Sequence, residues 1–559
     1  MPIMDVLPYI RSIMNTPLDT LLDYHQRSKH QFQRYATGPG GLDWNNQPDP
    51  FRTFAGSTQL ELPLLGAGAQ PRYTALYQPD AIETQACTLP NIAALLELSF
   101  GLSAWKQYGD SRWALRCNPS SGNLHPTEAY LVVRGCNGIP DGVHHYVSRD
   151  HLLEQRCRFA LPPHANADAP ILPPKTFLIG LSSIHWREAW KYGERAYRYC
   201  QHDAGHAIAA LRYAAAMLGW QVHLLDAWSD ADTGAILGVE READFGAAER
   251  EHPDLMLQVT TTRPAADAAG FAADALVSAT RSGTWQGRAN VLSPHPPQPW
   301  PVIDEVAHAC HKPHTLHTAW QAPVLTAPIP SACKLGVAEI IKQRRSAQQF
   351  DASTSISATA FHRMLDMTLP RNGVAPWDTI AWEPRIHLLL FVHRVEGIVP
   401  GLYVFLRNKH VEATLRAQMS PAFEWLPAAD CPAHFSLFRL LSADAQNAAR
   451  ILCCHQDIAA DGAFSLGMLA EYQDNLASSP WIYRRLFWEA GMLGQVLYLE
   501  AEAANVRGTG IGCYFDDGVH DLLGIKNQSL QSMYHFTVGG AVTDTRLQTL
   551  AAYGHLLRS

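Results

Sequence analysis

The sequence predicts an α+β protein in which one domain occurs twice. Three observations carry this reading. Tyr197-Arg198-Tyr199-Cys200-Gln201-His202-Asp203-Ala204-Gly205 and Tyr483-Arg484-Arg485-Leu486-Phe487-Trp488-Glu489-Ala490-Gly491 share one pattern: Tyr-Arg, four residues, acid-Ala-Gly. The offset from Asp203 to Glu489 is 286 positions, and the same offset carries Ile236-Leu237-Gly238-Val239 onto Leu522-Leu523-Gly524-Ile525. Each block opens a segment with apolar residues on a 3.6-residue period, Ala204 to Leu218 and Ala490 to Ala504, which predicts a long helix in each copy. Each copy also holds a short unbroken apolar run, Ala129–Val133 and His387–Val392, which predicts a buried strand.

The remaining elements follow in order. Arg27-Ser28 with Phe32 matches Arg345-Ser346 with Phe350, and Gly138-Ile139-Pro140-Asp141-Gly142 matches Gly397-Ile398-Val399-Pro400-Gly401. With the two blocks above, four matches stand in one order, so repetition sets the domain boundaries. Copy one spans 15–268 and copy two 333–559. Ile92 to Ser99 predicts a helix in copy one. Between the copies, residues 269–332 form a linker, in which Pro294, Pro296, Pro297, Pro299, Pro301, Pro313, Pro323, Pro328 and Pro330 predict an extended strap.

Composition excludes several classes. A chain of 559 residues suits more than one domain. With 47% hydrophobic and 17% charged residues it can fill large cores, so it is not a disordered chain. The net charge is −8, from 44 basic and 52 acidic residues, and no basic block appears, which argues against a nucleic-acid partner. No stretch approaches the roughly 20 apolar residues of a membrane helix. Met1-Pro2-Ile3-Met4-Asp5 shows no basic segment leading an apolar run, so no signal peptide is expected. The 11 irregularly spaced cysteines suit reduced thiols in a cytoplasm.

Duplicated domains keep what both need for folding, so differences between the copies point to chemistry. Copy one carries Arg116-Cys117-Asn118-Pro119-Ser120-Ser121-Gly122-Asn123-Leu124-His125-Pro126, for which the Asn372–Asp378 stretch of copy two has no counterpart. Such a turn offers hydroxyls, an amide and approachable backbone N–H groups to a polar ring or phosphate, or simply opens a helix. Copy two carries Arg344-Arg345-Ser346 against Gln26-Arg27-Ser28. Paired guanidiniums bind phosphate in a forked geometry; the plainer alternative is a solvated helix start. Copy two also carries Gly508-Thr509-Gly510-Ile511-Gly512-Cys513, against Val222–Ala227 in copy one, and three glycines let backbone approach a flat ligand. No strand-turn-helix context with a later acid accompanies that run, which rejects a dinucleotide-binding fold.

Together these three features resemble the FMN-binding nitroreductase superfamily. Arg116 through Tyr130, with Lys191-Tyr192-Gly193-Glu194-Arg195-Ala196-Tyr197-Arg198, is more similar to its SagB/ThcOx-type dehydrogenase branch. The resemblance implies two tandem nitroreductase-like domains forming an intramolecular pseudo-dimer. It implies that Arg344, Arg345 and Ser346 hold the FMN phosphate, with Arg546 adding charge. It places Gly510, Ile511 and Gly512 under the flavin ring, and Pro119, Ser120, Ser121 and Asn123 opposite, from the other copy. The mirror cleft would need Gln26–Ser28, Asp226–Trp228 and a serine turn that copy two lacks, so one FMN per chain is expected.

In azoline-oxidising relatives a Lys-Tyr pair is regarded as catalytic, and Lys191-Tyr192 matches it, with Lys191 as base and Tyr192 as relay. The plainer reading is a surface lysine and a core aromatic. Copy two has Ala477-Ser478 at that offset. The expected activity is FMN-dependent dehydrogenation of a small-molecule or peptide substrate, such as an azoline. The alternatives are an NAD(P)H-dependent nitro- or quinone-reductase, a flavin-sequestering binding protein, and a subunit that needs a partner enzyme. His308, Cys310, His311, His314 and His317 match no usual structural-zinc spacing, so no metal is expected. Cys453-Cys454-His455 reads as local packing, because adjacent residues point different ways in regular structure. No nucleophile elbow or phosphate-loop motif appears.

Overall fold

Two sheets of one strand order organise the computed structural model. It describes residues 16–556 apart from 67, 69, 79, 161–170, 263–272, 318–319 and 478. The N-terminal residues read for a signal peptide, the copy-one boundaries at 15 and 268, the first residues of the linker, and Ser478 therefore lie outside the described residues.

The first half contains α1 (Pro17–Arg27), α2 (Leu89–Phe100), β1 (Leu102–Tyr108), β2 (Ser111–Arg116), β3 (Thr127–Val133), β4 (Gly142–Val147), β5 (Leu152–Arg158), β6 (Thr176–Ser183), α3 (His185–Tyr192), α4 (Ala196–Met217), β7 (Gln221–Leu224), α5 (Asp230–Leu237) and β8 (His252–Thr260). Two further helices follow, α6 (Asp274–Arg281) and α7 (Pro301–Ala309). The second half contains α8 (Val337–Gln343), α9 (Ala358–Met367), β9 (Ile386–Val392), β10 (Gly401–Leu406), β11 (Ser436–Ser442), β12 (Phe464–Glu471), α10 (Ile482–Ala503), β13 (Arg507–Ile511), α11 (Asp516–Leu523), β14 (Leu530–Gly539) and β15 (Gln548–Leu550).

The strand path is β5-β4-β3-β6-β8-β7 in the first half and β11-β10-β9-β12-β14-β13 in the second, antiparallel throughout. Register sets Ile179 between Leu131 and Leu257, and Leu466 between Leu390 and Phe536. Those side chains join residues of α4 and α10, including Ile208, Leu211, Val496 and Leu497, in one core that spans both halves.

The repeated glycines have structural causes. A Cβ on Gly205 would stand 2.2 Å from Trp488 O, and one on Gly491 would stand 2.2 Å from His202 O. The two long helices thus meet backbone to backbone at the acid-Ala-Gly signature, which only glycine allows. Gly238 and Gly524 end α5 and α11 in the left-handed region, at φ 72° and 75°. A left-handed C-terminal residue favours glycine, which accounts for the second repeated block.

The region between the copies differs from the expected strap. Leu276, Val277 and Ala279 of α6 are buried with Ile236 and Met256, and Thr284–Trp285 extends the first sheet along β5. Pro301 starts α7, a position where its missing N–H costs nothing. Apolar residues therefore dock 274–309 onto the first half, and the extended strap begins near residue 310. The chain end crosses back: β15 pairs with β1, and the Tyr553 hydroxyl accepts from Leu102 N and donates to Ser148 O.

Candidate functional site

A cleft of about 740 Å³ opens between the halves. Its walls bring together Pro119, Ser120, Ser121, Gly122 and Asn123 of the first half with Arg344, Arg345, Ser346, Gly510, Ile511 and Gly512 of the second. Strand β13 runs along it, and at ~3.3 Å per residue its five residues separate a cationic end from an aromatic end by roughly 13 Å.

At the cationic end the chain leaves α8 through Arg344, whose residue is the C-cap, so the Arg-Arg-Ser run closes a helix rather than starting one. Arg344 is 4% exposed, donates to Arg116 O at 3.1 Å and lies 5.0 Å from the Tyr498 ring. Its Nε has no hydrogen-bond partner, and it makes no salt bridge among the described residues. Arg345 donates to Lys342 O, Arg344 O and Ser103 O. Arg507, at the start of β13, donates to Gln343 O and Glu502. Lys106, on β1, reaches Thr549 Oγ1 of β15 at 2.7 Å. Burial and the neighbouring Arg344 charge pull Arg345 down to about 10, and burial pushes the Glu502 carboxyl up to about 7 against the pull of Arg507. Arg344, Arg345 and Arg507 thus share one acid that resists ionising, and Lys106 adds a fourth positive charge to the same wall. Buried cations without partners are costly, so this wall is built for an anion.

At the other end Gly122 and Asn123 are left-handed, at φ 59° and 61°. The turn spends its side chains on itself: Asp203 accepts from Ser121 N and Oγ, Ser120 Oγ accepts from His125 N, and Asn123 donates to Ala114 O. Burial pushes the Asp203 carboxyl up to about 7 against the lowering by those serines. Tyr192 packs on Tyr199 at 4.5 Å, and the Tyr199 hydroxyl donates to Gly512 O. Gly510 N donates to the Tyr498 hydroxyl, which also meets Ser346 Oγ. A Cβ on Gly510 would stand 1.9 Å from Tyr534 Oη, so any side chain there would have to displace that buried ring.

The Lys-Tyr-Gly-Glu-Arg-Ala-Tyr-Arg stretch divides its duties. Arg195 and Arg198 grip Asp516 at 2.9 and 2.6 Å and lock the first half to the segment after Gly512. Burial alone would raise Asp516; the two guanidiniums outweigh it and hold the carboxyl well below its usual range. Tyr192 lines the cleft, but Lys191 does not. Successive helical residues point about 100° apart, and the Lys191 ammonium lies 5.4 Å from the Tyr192 ring instead. The direct-base role expected for Lys191 therefore does not fit its position. Arg546 also stays outside: its side chain is 71% exposed and pairs with Asp544 two residues earlier. Lys106 and Arg507 supply the extra charge in its place, and Tyr199, Asp203, Tyr498 and Tyr534 are among the other cleft residues that motif reading missed. Asp203 carried a signal, because it is the acid of the repeated block.

No family model matches the chain. A candidate nitroreductase of Methanocaldococcus jannaschii is 26% identical over 180 residues, covering 31% of this chain and 82% of that protein. A candidate nitroreductase of Anabaena variabilis, known from a crystal structure, superposes with a TM-score of 0.66 at 21% identity, over 94% of this chain and 99% of that one. The chain carries the nitroreductase fold in tandem. A candidate nitroreductase of Ralstonia eutropha covers only 40% of the chain, at 16% identity and a TM-score of 0.27. The chain thus has a nitroreductase-family homologue over part of its length and a nitroreductase fold that accounts for both halves.

The tandem nitroreductase fold has a second position related to the cleft by the repeat, and there the chain's own side chains close in. Arg212, which the 286 offset pairs with Tyr498, forms a bidentate ion pair with Asp378, both contacts at 2.8 Å. Arg485, the counterpart of Tyr199, lies between the Trp382 and Trp481 rings at 4.5 and 4.4 Å and 3.8 Å from Asp226. Lys312 of the strap donates to Trp228 O, Pro313 O and Thr315 Oγ1, and His317 meets Asp226 at 2.6 Å. Burial pulls the Lys312 ammonium down to about 8. Arg27, the sequence counterpart of Arg345, lies apart from this cluster: Glu194 holds it, next to Ser28, whose carbonyl accepts from the same Arg195 that binds Gly512 O.

Proposed function

We propose that the chain is an FMN-dependent oxidoreductase of SagB/ThcOx type with one working cleft per chain. The observation that carries the reading is Arg344, a buried guanidinium without a carboxylate partner among the described residues, beside Arg345, Arg507 and Lys106. That set suits a phosphate dianion, since charge-assisted bonds to phosphate are the strong ones. The tyrosine- and glycine-lined end suits a flat ring, and the cleft volume falls in the usual range for small-molecule sites. When bound, FMN would supply two-electron hydride chemistry.

The chain's own residues would do the rest. Arg344, Arg345, Ser346 and Arg507 would hold the phosphate. Gly510 and Gly512 would bring backbone close to the ring, and Tyr192 and Tyr199 would exclude water beside it. Asp203, held by the serine turn and titrating near neutrality, would hold or release a proton at its carboxyl. Tyr192 is the hydroxyl positioned to orient substrate, and Lys191 would act only through it. The dehydrogenase type is supported by the Lys191–Arg198 stretch, which supplies both a cleft tyrosine and the Asp516 clamp.

The test is anaerobic reduction of the purified, flavin-loaded chain. The expected result is slow bleaching by NADH or NADPH and rapid bleaching by a dehydrogenation substrate such as an azoline peptide. Rapid bleaching by NAD(P)H alone would make it a nitro- or quinone-reductase instead. Flavin that neither reduces would make it a flavin-binding protein.

A further inference from the structure

The first half holds two thiols in contact outside the cleft. The Cys87 thiol donates to Cys136 Sγ at 3.7 Å, and the Cys136 thiol donates to Cys87 O at 3.8 Å. The residues that follow them, Thr88 and Asn137, form a parallel β-bridge, so the two cysteines stand side by side on neighbouring segments. Paired strands lie about 4.8 Å apart, and Cα atoms separated by about 4.4–6.8 Å accept a disulfide. Closing the pair therefore asks for side-chain rotation, not backbone movement. Cys136 is 8% exposed and Cys87 is half-buried, so solvent reaches the pair through Cys87.

The repeat shows that this position does not need sulfur. In the second half Ile356 and Ser357 form the same parallel bridge with Val395 and Glu396. Ser357 is the N-cap of α9, as Thr88 is of α2. Val395 O accepts from Ile398 N, and Cys136 O accepts from Ile139 N, both at 3.2 Å. Ile356 and Val395 thus hold the places of Cys87 and Cys136, buried in the core that both halves share. Aliphatic side chains fill the site in one copy, and two touching thiols fill it in the other. The pair also brackets the cleft. Residues 88–135 contain Lys106, Trp113, Arg116 and the serine turn, which is the whole first-half wall apart from residues on α3 and α4.

We propose that Cys87 and Cys136 are a reversible disulfide site, closed by exchange with small-molecule disulfides, that clamps the first-half wall of the cleft. Cys87, the more exposed thiol, loses its proton to water and attacks one sulfur of a disulfide R–S–S–R. That S–S bond breaks, and the first RS⁻ leaves and is protonated by water. Cys136 then loses its proton and attacks Cys87 Sγ, which expels the second RS⁻, protonated in turn. The balance is one dithiol and one disulfide converted to one Cys87–Cys136 disulfide and two RSH. The covalent ring encloses the wall segment and restricts its local opening. Nothing in this chemistry requires a flavin in the cleft.

The test uses the purified full-length chain, reduced, freed of reductant and treated with excess glutathione disulfide. After trapping of free thiols and digestion, mass spectrometry should find an 87–136 linked peptide lacking two hydrogens, which dithiothreitol removes. Amide hydrogen exchange across 102–125 should be roughly tenfold slower in the oxidised chain than in the reduced one. The same treatment should leave that exchange unchanged in Cys87→Ile and in Cys136→Val, which carry the second-half residues. Absence of the linked peptide from the wild-type digest would overturn the proposal. So would a linked peptide with exchange across 102–125 unaltered, or equal slowing in the variants. The wild-type chain before and after dithiothreitol decides the question even if a variant fails to fold.

Discussion

The cleft and its mirror position are made from the same parts of the same repeat, yet one is open and the other closed. The difference lies in where counter-charges sit. In the mirror position Arg212 has Asp378, and Arg485 has Asp226 and two tryptophan faces. In the cleft Arg344 touches only one carbonyl oxygen and a tyrosine ring among the described residues, and Glu502 is engaged by Arg345 and Arg507. A duplicated site is thus retired by supplying its cations with internal partners. A site kept in use leaves that partner to come from outside.

The comparison breaks first if the ion pairs do not carry stability. Asp378→Ala would strand Arg212 in the interior, and the loss should be about 3–5 kcal/mol in chemical denaturation. It should not create a second flavin site. The opposite is expected of Arg344→Ala. Removing a cation without a carboxylate partner should leave the stability of the flavin-free chain unchanged or higher. FMN affinity should fall about 10–100-fold in a titration, as a lost charge-assisted contact of ~1.5–3 kcal/mol implies. Equal destabilisation by both variants would remove the contrast.

Tyr192→Phe should leave flavin bound and lower turnover by about 10², the lower range of general acid–base contributions. Asp203 sharpens the comparison by pH. Its carboxyl is raised from its ordinary value to about 7, so between those limits the folded chain binds the extra proton. The stability this contributes is present at low pH and is lost as pH rises through 7. Asp203→Asn should flatten that slope by ~1–3 kcal/mol between pH 5 and pH 8. Glu489, its counterpart, has its charge met by Arg407 and by the backbone of Arg385 and Ile386. The smallest effect should be Lys191→Ala, with turnover within about threefold of wild type, because Lys191 is off the cleft.

What the sequence made legible was what the backbone constrains locally. Gly205 and Gly491 recur because two helices touch there, and Gly238 and Gly524 recur because each ends a helix in the left-handed region. The serine turn, the arginine pair and the glycine run stood out because they broke the repeat. What stayed hidden depends on contacts between distant segments. Lys106 enters the cleft through a sheet completed by the chain end, and Lys312 reaches the mirror position from the strap. Arg546 had suitable charge, but Asp544 captures it. Lys191 and Tyr192 are adjacent in sequence, yet the helix gives only Tyr192 to the cleft. Prolines did mark the crossing segment, but apolar side chains of 274–309 fold much of it onto the first half.

The central claim is that two halves of one chain assemble one flavin site and close the other. The direct measurement is the molar ratio of FMN to polypeptide in the purified, flavin-saturated protein, from the absorbance of released flavin and a quantified protein concentration. The account expects one FMN per chain, falling toward zero in Arg344→Ala. A ratio near two, or a chain that takes up no flavin, would contradict it.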